Sequence, residues 1–247
     1  MNVSIYEPHL RVTPKDPVGL DSELLAYIGG ESLSGEMAMP VNRLGLVVCV
    51  LGAKSGAKSQ YLQTISHALA CRGLGSLVFD PISDREKRWA THVRLDVAKQ
   101  ADRVGALIRL LKNHAATADL PLGILGAERA AEIGFLATEN EPDNLAALVL
   151  IDAPNPLDWD FAEKNMPPCL AVSYGPKYMR KDRSAAVKIR LDVHRQVIEA
   201  PVVSATDTDE EIDAVEVGRL CARWFQYHML PTEKVTEDSK REGCYLG

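Results

Sequence analysis

The chain has 247 residues, with 34 Asp and Glu against 28 Lys and Arg, a formal charge of −6. No cationic excess is available to displace counterions from phosphates, which excludes a basic nucleic-acid binder. Hydrophobic residues make up 46% and charged residues 25%, a globular rather than a disordered composition. No apolar run approaches the ~20 residues that cross a bilayer. The first nineteen residues carry Glu7, Arg11, Lys15 and Asp16 and no apolar block, so no signal peptide is read there and the expected location is cytoplasmic. Five cysteines, scattered and odd in number with no CxxC pair, indicate neither a disulfide frame nor a zinc site.

In chain order, Leu24 to Ile28 and Leu33 to Met39, separated by Gly29-Gly30, read as a hairpin. Leu44 to Leu51 is a short apolar run bounded by Gly52, as in a buried strand. Tyr61, Leu62, Ile65, Ala68 and Leu69 follow at helical spacing, and Gly73 and Gly75 end that helix. Ser76 to Phe79 is the next strand, stopped by Asp80-Pro81. A long helix carries the stripe Leu95, Val97, Ala98, Val104, Leu107, Ile108 and Leu111. Leu122 to Leu125 is a strand, Glu128 to Ala137 a helix of small residues, and Leu145 to Ile151 and Cys169 to Val172 two further strands. Val217, Leu220, Cys221, Trp224, Phe225 and His228 form the face of a last helix.

Alternation of strands and helices predicts an α/β fold: one domain, a mostly parallel sheet with helices on both faces, and an antiparallel N-terminal edge hairpin. The expected division is an N-terminal extension over 1–23, a domain over 24–230 and a polar tail over 231–247. The two ends offer little apolar surface, so they are expected to be ordered by another polypeptide.

Two strand-to-helix turns carry the candidate chemistry. Gly52-Ala-Lys-Ser-Gly-Ala-Lys-Ser59 has the context of a phosphate-cradling loop, and Asp80 closes the next strand as a magnesium-holding acid would. The spacing departs from G-x-x-x-x-G-K-[ST]: Ala57 follows Gly56, and Gly52 is one residue too near. A nucleotide-binding switch through 52–59 is thus the third reading. The other turn is Leu122-Gly-Ile-Leu-Gly-Ala-Glu128-Arg-Ala-Ala131, laid out like the G-x-S-x-G elbow that exposes one side chain above a sheet.

At this turn the chain resembles the α/β-hydrolase superfamily, in particular its dienelactone-hydrolase-like branch. Gly45 to Gly52 is similar to the strand that leads into the oxyanion loop, and Arg72 to Asp80 to the strand after it. Ala116 to Ala127 is similar to the approach to the elbow, Pro142 to Pro154 to the strand beyond it, and Pro168 to Gly175 to the strand before the catalytic acid. Gly218 to His228 is similar to the closing helix, so the resemblance spans about Leu24 to His228.

The resemblance implies a triad, and the residues at its positions depart from one. Glu128 stands where the serine or cysteine is expected, and Ala130 replaces the last elbow glycine. Pro176 stands at the acid position, Thr206 near the histidine position, and Leu51 where a histidine usually precedes Gly52. A serine nucleophile needs a base within hydrogen-bond reach, and the base needs an orienting group. The leading expectation is a pseudo-hydrolase acting as a binding, scaffold or regulatory subunit, with a protein partner, a small-molecule ligand left open, and no cofactor, metal or nucleic acid. The alternative is an unconventional ester hydrolase. In it the Glu128 carboxylate attacks and Asp152, at the end of the following strand, activates the water that resolves the intermediate. Against both stands a plain capping role for Glu128 at its helix N-terminus. Gly52, Ala53, Lys54, Glu128, Arg129 and Asp152 are the expected pocket residues.

Overall fold

The computed structural model describes residues 7–16, 20–52, 60–89, 96–151, 153, 166–173, 187–193, 196–202 and 210–230. The described elements run β1 (His9–Pro14), β2 (Asp21–Ile28), β3 (Glu31–Ala38), β4 (Gly45–Val50), α1 (Gln60–Ala70), β5 (Leu74–Phe79), α2 (Asp84–Trp89) and α3 (Val97–Asn113). They continue with β6 (Leu122–Ala127), α4 (Arg129–Asn140), β7 (Ala147–Ile151), β8 (Cys169–Ser173), β9 (Val187–Val193), β10 (Gln196–Val202) and α5 (Glu210–Met229).

Strand β4 shows how the sequence makes this fold. All six of its residues are buried, and successive side chains leave opposite faces of a strand. Leu46, Val48 and Val50 enter one core with residues of β2, β3, α3 and α4. Val47 and Cys49 enter a second core with residues of α1 and α5. A run with no polar alternation is therefore a strand covered on both sides.

The strands form one sheet in the order β1-β2-β3-β5-β4-β6-β7-β8-β9-β10. Its centre, β5-β4-β6-β7-β8, is parallel. The β2–β3 hairpin turns at Gly29 and Gly30, both at positive φ (58° and 76°), with Ile28 paired to Glu31. That is the two-residue turn whose twist suits a hairpin and which glycine enters without strain. The expected α/β fold, with its parallel sheet, two helical layers and antiparallel N-terminal edge, is the observed one.

Four elements, β1, α2, β9 and β10, have no counterpart in the sequence reading. Strand β1 pairs antiparallel with β2 from His9↔Tyr27 to Pro14↔Ser22, which brings residues 9–14 into the sheet although they precede the span of the resemblance. The β9–β10 hairpin adds an antiparallel edge on the far side of β8. Helix α2 begins at a capping box. The Ser83 N–H and hydroxyl both donate to Glu86 Oε2, and the Glu86 N–H donates to Ser83 Oγ.

Helix α5 lies close against the sheet because Gly123 has no side chain. A Cβ there would meet the Phe225 ring at 2.6 Å. Cys49, Cys169 and Cys221 are buried and Cys71 is exposed. Burial alone pushes the Cys49 thiol up to about 12, so it serves as a small core residue.

Candidate active site: the turn between β6 and α4

Strand β6 is short and runs directly into α4, and Glu128 is the hinge. Its backbone sits at φ 52°, ψ −120°, and among the described residues it alone has a positive φ without being glycine. An L-residue held there costs about 1–3 kcal/mol and persists only where its surroundings impose it. On one side the Glu128 N–H donates to the Ile151 carbonyl of β7 at 2.7 Å. On the other, the Ala131 N–H donates to the Glu128 carbonyl at 3.1 Å. Gly126 permits the sharpness of the turn, since a Cβ at that position would strike the backbone of Ala130 and Ala131.

Strand register places this turn on the edge where the parallel strands end, the edge at which open α/β sheets collect their ligands. Val50 pairs with Gly126, and Ala127 pairs with Ile151. The turn is thus flanked by the ends of β4 and β7. Glu128 and Arg129 are both exposed. The Glu128 side chain makes no capping hydrogen bond to α4.

Of the other expected site residues, Gly52 follows β4 on the same edge, beyond Leu51. Leu51 is buried in the α1–α5 core, so that position holds a packing residue. Ala53, Lys54, Asp152, Pro176 and Thr206 lie outside the described residues. Asp80, weighed as a magnesium-holding acid, is engaged within the fold. It pairs with Lys87 Nζ at 2.8 Å and accepts the Ile82 N–H at 2.9 Å.

Sequence reasoning missed the clamp that fixes the segment after β5. Arg103 of α3, with only 4% of its side chain exposed, grips both oxygens of Glu86 at 2.7 and 2.9 Å and donates to the Pro81 carbonyl at 2.7 Å. Lys99 also donates to Glu86, at 3.0 Å. The Arg103 guanidinium is the main cause that holds the Glu86 carboxyl down at about 2. Arg85 reaches back to Glu31 at the start of β3. The available signal was Ser83-Asp-Arg-Glu86, a capping-box spacing.

Among the described residues, no group of three His, Cys, Asp or Glu is placed to hold a metal ion. No described helix is long and apolar enough to cross a membrane.

No family model matches the chain. Two Mycobacterium tuberculosis proteins, each named "Putative phosphoribosyl transferase", are 25% identical to it over 215 residues, 87% of this chain and 48% of theirs. The chain thus spans about half the length of the curated relatives it matches. A dienelactone hydrolase from Anabaena variabilis superposes with a TM-score of 0.67 at 18% identity, covering 91% of this chain and 100% of that one. The esterase domain of a Rhodothermus marinus protein gives 0.53 at 15%, covering 90% and 100%. Likeness at such identities is a likeness of fold. Strand order and strained turn agree with that: the described chain is a single α/β domain with the fold seen in that dienelactone hydrolase and that esterase domain.

Proposed function

We propose that this domain has kept the hydrolase architecture and given up serine hydrolysis, and that it works as a binding or regulatory module. The observation that carries this reading is Glu128 on the strained turn between β6 and α4. A carboxylate cannot replace an alkoxide that is generated by a base and reprotonated by it. Loss of triad members costs about 10⁴–10⁶-fold in kcat. Short-chain nitrophenyl esters and a fluorophosphonate probe test the reading. No turnover and no labelling are expected; stoichiometric labelling of one serine overturns it.

The partner proposed for this module is a phosphoribosyl transferase domain. The support is that two proteins bearing that name contain a stretch similar to this chain in about half of their length. A hydrolase-like fold in that half leaves phosphoribosyl transfer to the remainder. Steady-state rates of a phosphoribosyl transferase from the same cell, with and without this protein, are the test. A change in KM or kcat supports the pairing, and an unchanged rate with no co-elution removes it.

A second reading has one observation in its favour. Backbone strain persists where function needs it, and here it holds an exposed glutamate at the edge where the parallel strands end. Glu128 would then attack the ester carbonyl, forming a mixed anhydride as the C–O ester bond breaks, and the departing alkoxide would take its proton from solvent water. Asp152 would take a proton from the water that cleaves the resulting anhydride. With water attacking the Glu128 acyl carbon of that anhydride, many turnovers in ¹⁸O-water would leave label in the Glu128 carboxyl. An unlabelled peptide after exhaustive turnover dismisses this chemistry.

A further inference from the structure

The sheet divides the buried cysteines between its two faces. Cys169 lies in the core on the α3–α4 side. Cys49 and Cys221 lie in the core on the α1–α5 side, each fully buried. Cys49 comes from β4 at the centre of the sheet, and Cys221 from α5, the last described helix.

The seating of α5 decides which row of the sheet Cys221 meets. Gly45, Val47 and Cys49 share one face of β4, and Val47 and Cys49 pair with Gly123 and Leu125 of β6. A Cβ on Gly45 would meet Met229 Cε at 2.9 Å, and one on Gly123 would meet the Phe225 ring at 2.6 Å. From Met229 back to Phe225 the helix moves by about 6 Å, and from the Gly45 row to the Gly123 row the sheet moves by about 6.6 Å. The steps match, so α5 runs antiparallel to β4, and one turn further back Cys221 stands at the Cys49–Leu125 row. Gly218, three residues before Cys221 and on the same side of the helix, faces Ala68 and Ile65 of α1. Helix α1 packs on β5, the neighbour of β4 away from β6, so this flank of α5 is the one nearer Cys49. The thiols also register each other: burial, and after it Cys49, push the Cys221 thiol up.

We propose that Cys49 and Cys221 form a reversible disulfide that staples α5 to the central strand, with a low-molecular-weight disulfide as the oxidant. A disulfide needs Cα atoms about 4.4–6.8 Å apart, and Gly45 and Gly123 let the helix approach by carrying no side chain. Both thiols are neutral while α5 is seated, so reaction begins when α5 lifts and one thiol gives its proton to water. That thiolate attacks one sulfur of the small disulfide, a mixed disulfide forms, and a small thiolate leaves. As α5 reseats, the second cysteine attacks the protein sulfur of the mixed disulfide. The protein S–S bond forms, and the second small thiolate leaves with the proton of that cysteine. Two protein thiols are oxidised, and one small disulfide is reduced to two thiols.

Full-length protein incubated with oxidised glutathione, alkylated and digested with trypsin tests the staple. Peptide 44–54 should be joined to peptide 220–223, and dithiothreitol should release both. Hydrogen exchange over 217–229 should slow on the order of tenfold after oxidation. C71A/C169A/C244A should behave in the same way, whereas C49A should give neither the linked peptide nor the slower exchange. Cysteines 49 and 221 that stay free after the exposed Cys71 has reacted fully overturn the proposal. So does a linkage that joins either of them to a different cysteine.

Discussion

The N–H of Glu128 donates to the carbonyl of Ile151 at 2.7 Å, so the sheet's hydrogen bonding runs on past the pair Ala127↔Ile151 and into the turn. Glu128 is therefore gripped by β7 on one side and by the first turn of α4 on the other. It cannot relax its backbone without releasing one of them. This is why a residue with a side chain holds a conformation that ordinarily belongs to glycine.

Replacement of Glu128 by glycine should stabilise the protein. Glycine removes the positive-φ strain of about 1–3 kcal/mol but brings back about 0.5–1 kcal/mol of unfolded-chain entropy. The expected net gain is about 1 kcal/mol by urea denaturation. Glu128→Val, branched at Cβ, should lose at least as much. A Glu128→Gly variant less stable than the parent would mean that the carboxylate itself holds the fold.

Gly126→Ala should be among the most damaging single-methyl changes in the chain. The added Cβ meets backbone atoms of Ala130 and Ala131 rather than a yielding side chain. Overpacking of this kind costs about 1–3 kcal/mol, and the end of β6 should move with it. Gly123→Ala presses instead on the Phe225 ring. A second change, Phe225→Leu, should partly rescue it, as thermal melts of the pair and the two single variants would show.

The Glu86–Arg103 pair predicts an acid limb of stability. The Glu86 carboxyl is held at about 2 against an ordinary 4.5. A depressed carboxyl contributes stability that is full above its unfolded value and is lost as pH falls through the folded one. The loss should therefore develop between about pH 4.5 and pH 2 and amount to about 3 kcal/mol. Urea midpoints at pH 7, 5 and 3 measure it. In Arg103→Met this limb should flatten, with about 1–3 kcal/mol already lost at pH 7, because Glu86 keeps Lys99 and Ser83 as partners and loses its two-pronged one.

Magnesium ATP and GTP should give no binding heat. The 52–59 segment lacks the Gly-Lys pair, and Asp80 is engaged by Lys87. Micromolar affinity abolished by Lys58→Ala would instead make the protein a nucleotide switch.

Much of the architecture was legible because it is written in burial. The runs 44–51, 122–125 and 145–151 became central strands, since a strand covered on both faces must be apolar throughout. Gly29-Gly30 announced its hairpin, and Val217 to His228 its helix. The β9–β10 hairpin left a signal that went unread: Val-Lys-Ile-Arg-Leu-Asp-Val alternates strictly over 187–193. Strand β1 was harder, because an edge strand buries only Leu10 and Val12 in part. Its pattern is diluted by His9, Arg11 and Thr13. In the candidate site, the position of Glu128 was legible from Gly126 and the small residues of α4. Its positive φ was not, since nothing in glutamate announces it. Glu86 and Arg103 stand seventeen residues apart, a separation at which sequence shows two charges and no reason to join them.

Phe225 and Met229 cover Gly123 and Gly45 on the sheet, and both belong to the last described helix. During synthesis the α1 side of the sheet must therefore wait, with Val47, Cys49 and Val149 only partly covered by α1, until α5 has left the ribosome. The α3–α4 side closes much earlier. A nascent chain paused before residue 217 is thus half a sandwich with one greasy face, and that is where a chaperone is needed.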